Sequence, residues 1–114
     1  MEQLCLALPI RPGQTQALQE FVQTITESKW REYEDFQKRS RVQKVTWSQQ
    51  SSPQGDQLLI YNEGEDFTRL SREFAGSTHS FDIWFGQQLQ QITGVNVRAF
   101  DPSRLPRLLL KYGY

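Results

Sequence analysis

His79 is the only histidine in the chain, and imidazole is the one side chain that titrates near neutral pH without help from its surroundings. It stands in "THSFDIWF", residues 78–85, beside two phenylalanines and Trp84. A histidine in a loop just before a helix could sit at a pocket rim and act as general acid, general base or haem ligand. Trp47, Tyr61 and Trp84 could line such a pocket as ligand-binding groups, Tyr61 contributing a hydroxyl. Arg41, between a long helical stretch and a strand, could hold an anionic ligand. Each has an ordinary structural reading as well. His79 is then a capping or surface residue, Trp47 and Tyr61 are cross-strand packing, Trp84 is core, and Arg41 is a cation at a helix C-terminus. These ordinary readings are preferred, because a lone histidine without partner groups is rarely catalytic.

Stronger motifs are missing. The sequence holds no CxxC, HExxH, glycine-rich phosphate loop, nucleophile elbow or ferredoxin cysteine set, and "VQKVTWSQ" lacks the aromatic pattern of an RNA-recognition sheet. One cysteine, Cys5, and one histidine make neither an internal disulfide nor a protein-only structural zinc site, which fits a reducing cytosol and a cytoplasmic protein. Thirteen basic residues balance thirteen acidic ones, so neither nucleic acid nor an anionic membrane is an expected partner. No run of eighteen apolar residues occurs, and the start "MEQLCLALPI" is short of a secretory signal. No cofactor is identified. At 114 residues with 37% hydrophobic content, residues 1–114 read as a single domain with enough apolar material for one core.

The elements follow from periodicity. Leu4, Leu6 and Leu8 alternate with Cys5 and Ala7, the period of a strand. After Pro12 and Gly13, Leu18, Phe21, Val22 and Ile25 fall on one helical stripe. Nothing breaks the chain from Gln14 to Arg41, so the helix is expected to run about seven turns, roughly 40 Å. Beyond Ile25 its apolar stripe is diluted, and the acid–base pairs Glu27–Arg31, Glu34–Lys38 and Asp35–Arg39 mark a solvated face. "QSSPQGD" separates two strands, Val42 to Gln49 and Gln57 to Glu63, as a hairpin. Phe67, Leu70 and Phe74 form a short helix from a cap at Asp66 to Gly76. Ser80 opens another helix, with Asp82 in its first turn, Phe81, Phe85, Leu89 and Ile92 on one face, and Gly94 as its stop. A fourth strand is expected from "RLLLKY", 107–112, with "VNVRAF", 95–100, as the alternative.

The order β-α-β-β-α-α-β is that of an α+β ferredoxin-like sandwich, a four-stranded antiparallel sheet with helices on one face. Its other face, with Cys5, Ala7 and either Trp47 or Tyr61, is expected to be covered by a second copy, making a homodimer. "LPIRPG", "TWSQQSSPQGD", "IYNEGEDF", "FDIWF" and "ITGVN" occur in this order. In these segments the chain resembles an uncharacterised family of short bacterial proteins related to the dimeric α/β-barrel superfamily. The resemblance implies ferredoxin-like protomers paired sheet to sheet, and no reaction. Asn96 stands where the family is expected to have aspartate, so no charged role is carried over to it. Related dimeric barrels include cofactor-independent oxygenases, haem-degrading enzymes and small-molecule isomerases, with a pocket between sheet and helices. That analogy gives the alternative function, a small enzyme or small-molecule binder with its pocket near Trp47, Tyr61, His79 and Trp84.

Overall fold

The leucine alternation becomes strand β1 (Glu2–Pro9) in the computed structural model, which describes residues 1–113. Leu4 and Leu8 are buried beneath the helices, while Cys5 and Ala7 are exposed on the other face. Helix α1 (Thr15–Glu27) follows and buries Leu18, Phe21 and Ile25.

The expected continuous helix over 14–41 is not formed. It divides into α1 and α2 (Trp30–Arg39), separated at Ser28 and Lys29. The amides of both residues donate to the Thr24 carbonyl at 3.0 Å, and the Ser28 hydroxyl donates to the same oxygen at 3.1 Å. Three donors thus converge where a continuing helix has one, and the ladder ends. Unbroken, the helix would reach roughly 40 Å, beyond the 35 Å of the protein's longest dimension. Breaking it folds α2 back so that Tyr33 and Phe36 reach the core.

Strands β2 (Val42–Ser52) and β3 (Gly55–Gly64) form the hairpin, with Pro53 and Gln54 alone as its turn. The strands are longer than their apolar pattern indicates because backbone pairing continues through Ser51↔Asp56 and Ser52↔Gly55 into polar sequence. Gly55, at φ 123°, takes a backbone angle closed to most side chains. The sheet is antiparallel in the order β1-β3-β2. Leu58, Ile60, Val45 and Trp47 face the helices with the β1 leucines. Leu59 and Tyr61 belong to the opposite face, where Tyr61 pairs with Cys5 and Thr46.

Helix α3 (Phe67–Gly76) is capped at Asp66, whose side chain accepts from the Arg69 amide at 3.0 Å. Helix α4 (Ser80–Thr93) ends at Gly94, which takes the left-handed conformation at φ 75°. The ring of Phe85 lies 5.4–6.3 Å from those of Phe21, Tyr33, Phe36, Trp47, Phe74 and Phe81. One side chain therefore joins α1, α2, α3, α4 and β2.

The four-stranded ferredoxin-like sheet is overturned. Neither tail segment is a strand among the described residues, and the sheet has three. Residues 95–100 contain a turn of 3-10 helix, Val97–Ala99, that buries Val97 against the core. Residues 107–112 have no regular structure and are exposed. The alternation of "VNVRAF" loses to side-chain capping, because Asn96 accepts from the Arg98 amide at 3.1 Å and turns the chain. The leucines of "RLLLKY" carry an apolar signal without a partner strand inside the protomer.

Arg98 closes the tail onto the body. Its guanidinium donates to the Phe74 carbonyl at 3.0 Å, the Ala75 carbonyl at 3.3 Å and the Ser77 carbonyl, supplying donors to orphan carbonyls at the end of α3. Gly86 makes room for it: a Cβ there would stand 2.7 Å from Arg98 Cδ and 2.9 Å from Cγ. Gly86→Ala is expected to cost about 1–2 kcal/mol, because losing these bonds outweighs the roughly 1 kcal/mol that alanine gains in a helix. Denaturant unfolding of Gly86→Ala, Arg98→Ala and the double variant checks this. The double variant is expected to fall well short of the sum of the two losses.

Candidate functional site

An apolar cavity of about 100 Å³ lies between the sheet and the helices, with Leu6, Ile60, Phe36, Phe74 and Phe85 in its wall. A cleft of about 350 Å³ opens beside it, between the α1–α2 corner and β2, with Val22, Ile25 and Trp30 on its outer side. Tyr33, Gln37, Val42, Val45 and Trp47 line both spaces. These five form the wall where the two openings meet.

The elements explain the arrangement. The α1–α2 break turns α2 so that Tyr33 and Gln37, one helical turn apart, both meet the inner face of β2. Register shifts between Val42 and Lys44, and Val45 and Trp47 follow with inward side chains. Burial pushes the Tyr33 hydroxyl above its ordinary range, while the Gln37 amide and the Trp47 indole act in the opposite sense. Glu34 and Lys38 stand at the mouth. The cleft is therefore apolar, with polar groups gathered on one wall and one charge of each sign at its entrance.

Of the residues singled out from the sequence, Trp47 alone belongs to this cleft. Its ring packs 5.8 Å from Phe21 and 6.4 Å from Tyr33. Tyr61 lies on the far side of the sheet, where its hydroxyl donates to Glu63 at 2.8 Å. That bond to a carboxylate raises its proton affinity. Trp84 packs against Phe21 and Phe81 at 5.3 and 5.7 Å, with the Lys29 ammonium 4.9 Å above its ring. It covers the seam of α1 and α4 and does not line the cleft. Arg41 takes the left-handed conformation at φ 55°, and its guanidinium donates to Glu65 at 3.3 Å on the surface. His79 is exposed at the start of α4 and provides no side-chain cap.

His79 borders a polar groove that also contains Arg39, Ser77 and Asp82. Asp82 is 1% exposed. Its carboxylate accepts two bonds from Arg39 at 2.9 Å and one from the Ser77 hydroxyl at 2.6 Å. Burial pushes the Asp82 carboxyl up, but Arg39 and Ser77 outweigh burial and hold it below the ordinary carboxylate range. Arg39 also reaches Asp35 at 2.7 Å, so this group is a structural clamp between α2 and α4. Its oxygens are occupied by the clamp and are not free to act as a base. No group of three potential metal-ligating residues occurs among the described residues.

Sequence periodicity contains one signal for the site. Phe36 stands about five turns after Leu18 and returns to the same helical angle, with Tyr33 near it. Gln37 had no comparable signal, because a glutamine on a charged helix reads as solvated. Searches against protein-family models, curated proteins and solved structures each find no match. No helix among the described residues is long and apolar enough to cross a membrane.

Proposed function

We propose that the protein is a small-molecule-binding module whose ligand is an apolar, ring-containing molecule with one polar group, seated in the cleft between α1–α2 and β2. The observation carrying this reading is the wall of Tyr33, Gln37, Val42, Val45 and Trp47 shared by the cleft and the cavity. A site with apolar walls and a few convergent polar groups is the ordinary form of a ligand pocket. Binding is favoured over catalysis because the lining of the cleft is largely apolar and holds no histidine or cysteine. The sole histidine lies in another groove, so haem would find no imidazole here. A cytoplasmic location belongs to the same reading, supported by one unpaired, exposed cysteine.

The test is a titration with aromatic acids, flavins and haem, read by tryptophan fluorescence and thermal shift. A true ligand at a hundred times its Kd adds about 2.7 kcal/mol of stability. Gln37→Leu is expected to weaken that ligand about tenfold or more, since it removes a polar contact at a desolvated wall. No response to any compound, or a response indifferent to Gln37→Leu and Tyr33→Phe, would overturn the reading.

A second reading concerns the open sheet face. The central row Leu59 and Tyr61 is flanked by Ala7 and Cys5 on one side and by Ser48 and Thr46 on the other. This moderately apolar strip supports a homodimer paired face to face. Tyr61→Arg would place a charge at its centre and is expected to abolish dimers formed this way, as measured by sedimentation velocity.

A further inference from the structure

We propose that residues 105–113 form an exchanged arm, adding as a strand to the free edge of β1 in a second copy of the chain. Leu108, Leu109, Leu110 and Tyr112 are 55, 84, 87 and 102% exposed. Four large apolar side chains so close together in sequence are unusual on a surface with no partner. The same chain carries an unfilled template: among the described residues β1 pairs with β3 alone, leaving its outer backbone edge unpaired. An unpaired edge and an unpaired apolar segment on one molecule are the ingredients of strand exchange.

Direction excludes antiparallel pairing with the chain's own edge and leaves only a parallel run there. Leu105 and Leu108 share a groove with Met1, Glu2 and Leu4, so the arm begins at the Glu2 end of β1. An antiparallel run from that point would leave β1 almost at once. The β1 of a second copy has no such restriction, and two arms can exchange reciprocally about a two-fold axis, closing the assembly. The span fits, because residues 105–113 extend roughly 30 Å as a strand, enough to run beside the 8-residue β1. The core shows where cover is missing. Leu6 is only partly buried although it lies between buried Leu4 and Leu8, and the side chains of an added strand would cover it. Each protomer keeps its own three strands. The contact uses the sheet edge and is distinct from pairing through the open face.

The experiment uses the full chain and its single cysteine. Wild type, carrying Cys5, is mixed with a set of variants in which Cys5→Ser is combined with a cysteine at each position from 108 to 112 in turn, and the mixtures are oxidised. Covalent heterodimers are expected at every second arm position, because alternate residues of a paired strand share the face of Cys5. In sedimentation velocity, the double variant L109D/L110D is expected to raise the dimer Kd at least tenfold. Those side chains are exposed in the protomer, so its Tm should hold at concentrations where wild type is monomeric. Three results would overturn the arm: a wild type that stays monomeric at hundreds of micromolar, cross-linking without alternation, or a dimer that survives L109D/L110D and is lost in Tyr61→Arg.

Discussion

Phe85→Ala is expected to lower stability by about 4 kcal/mol, the upper part of the range for deleting a buried aromatic side chain. Two features place it there. Phe85 is buried among six aromatic rings, five of them from four other elements, and each such pair adds to burial when its geometry is tilted or edge-on. The ring also lines the existing cavity of about 100 Å³. Its removal enlarges the space beside it, and neighbours held in five different elements cannot all collapse inward to fill it. In urea, the midpoint should fall while the slope holds near the wild-type value. In thermal unfolding the shift should be on the order of 15 °C for a domain of this size. Phe85→Leu, which leaves a smaller void, should cost about half as much or less. A loss below about 1.5 kcal/mol for Phe85→Ala would show that the aromatic cluster is not the central support of the fold.

Arg39→Ala is expected to cost about 3 kcal/mol at neutral pH, because it leaves the Asp82 carboxylate buried without its counter-ion. The reverse deletion is milder. Arg39 has 29% of its side chain exposed and keeps Asp35 as a partner, so Asp82→Asn should cost about 1–2 kcal/mol. The pH dependence gives a second check with a definite sign. In the wild type the folded-state affinity of Asp82 for protons is depressed. Its contribution is therefore complete above the unfolded carboxylate pKa, near 3.9, and is lost as the pH falls through the lower folded value. In Arg39→Ala the effect of burial is no longer outweighed, so the carboxyl is raised and protonation relieves the buried charge. The stability difference between the two proteins should thus be widest at neutral pH and narrow below about pH 4. Denaturant unfolding from pH 3 to 7 measures it. Parallel profiles would show that Asp82 is not the group left unpaired.

Both effects lie in places that the linear sequence only partly discloses. Phe85 is legible as one of four residues on the apolar face of α4, since a helix places Phe81, Phe85, Leu89 and Ile92 together whatever surrounds it. That it touches α2 and β2 as well depends on where α2 goes. Arg39 was legible as the partner of Asp35, four residues away, and that pair is present at 2.7 Å. Its bond to Asp82 crosses 43 residues, and no spacing rule reaches so far. Asp82 itself read as a charge at a helix start, whereas in the fold it is among the most buried side chains.

The candidate site divides the same way. Strand alternation puts Trp47 and Val45 on one face but leaves open whether Trp47 or Tyr61 faces inward, which the fold decides for Trp47. Tyr33 and Gln37 became cleft residues only because the long helix breaks at Ser28 and Lys29. His79, Tyr61, Trp84 and Arg41 were chosen for their chemistry, and the fold sends them to four separate places: a polar groove, the open sheet face, a helix seam and a surface ion pair.

The amino-acid sequence alone determined β1, the β2–β3 hairpin and helices α3 and α4, with the caps at Asp66 and Gly94. These depend on contacts and backbone preferences within about one or two turns of the chain, which residue order records directly. Tertiary structure decided three things: that the long helix breaks, that the sheet stops at three strands, and that a cleft opens at the break. The first lets Tyr33 and Phe36 of α2 reach the core, a gain that depends on residues far away in sequence. The second follows because a strand exists only where two backbone edges pair, and residues 107–112, which begin beside the free edge of β1, form no such pairing within their own protomer.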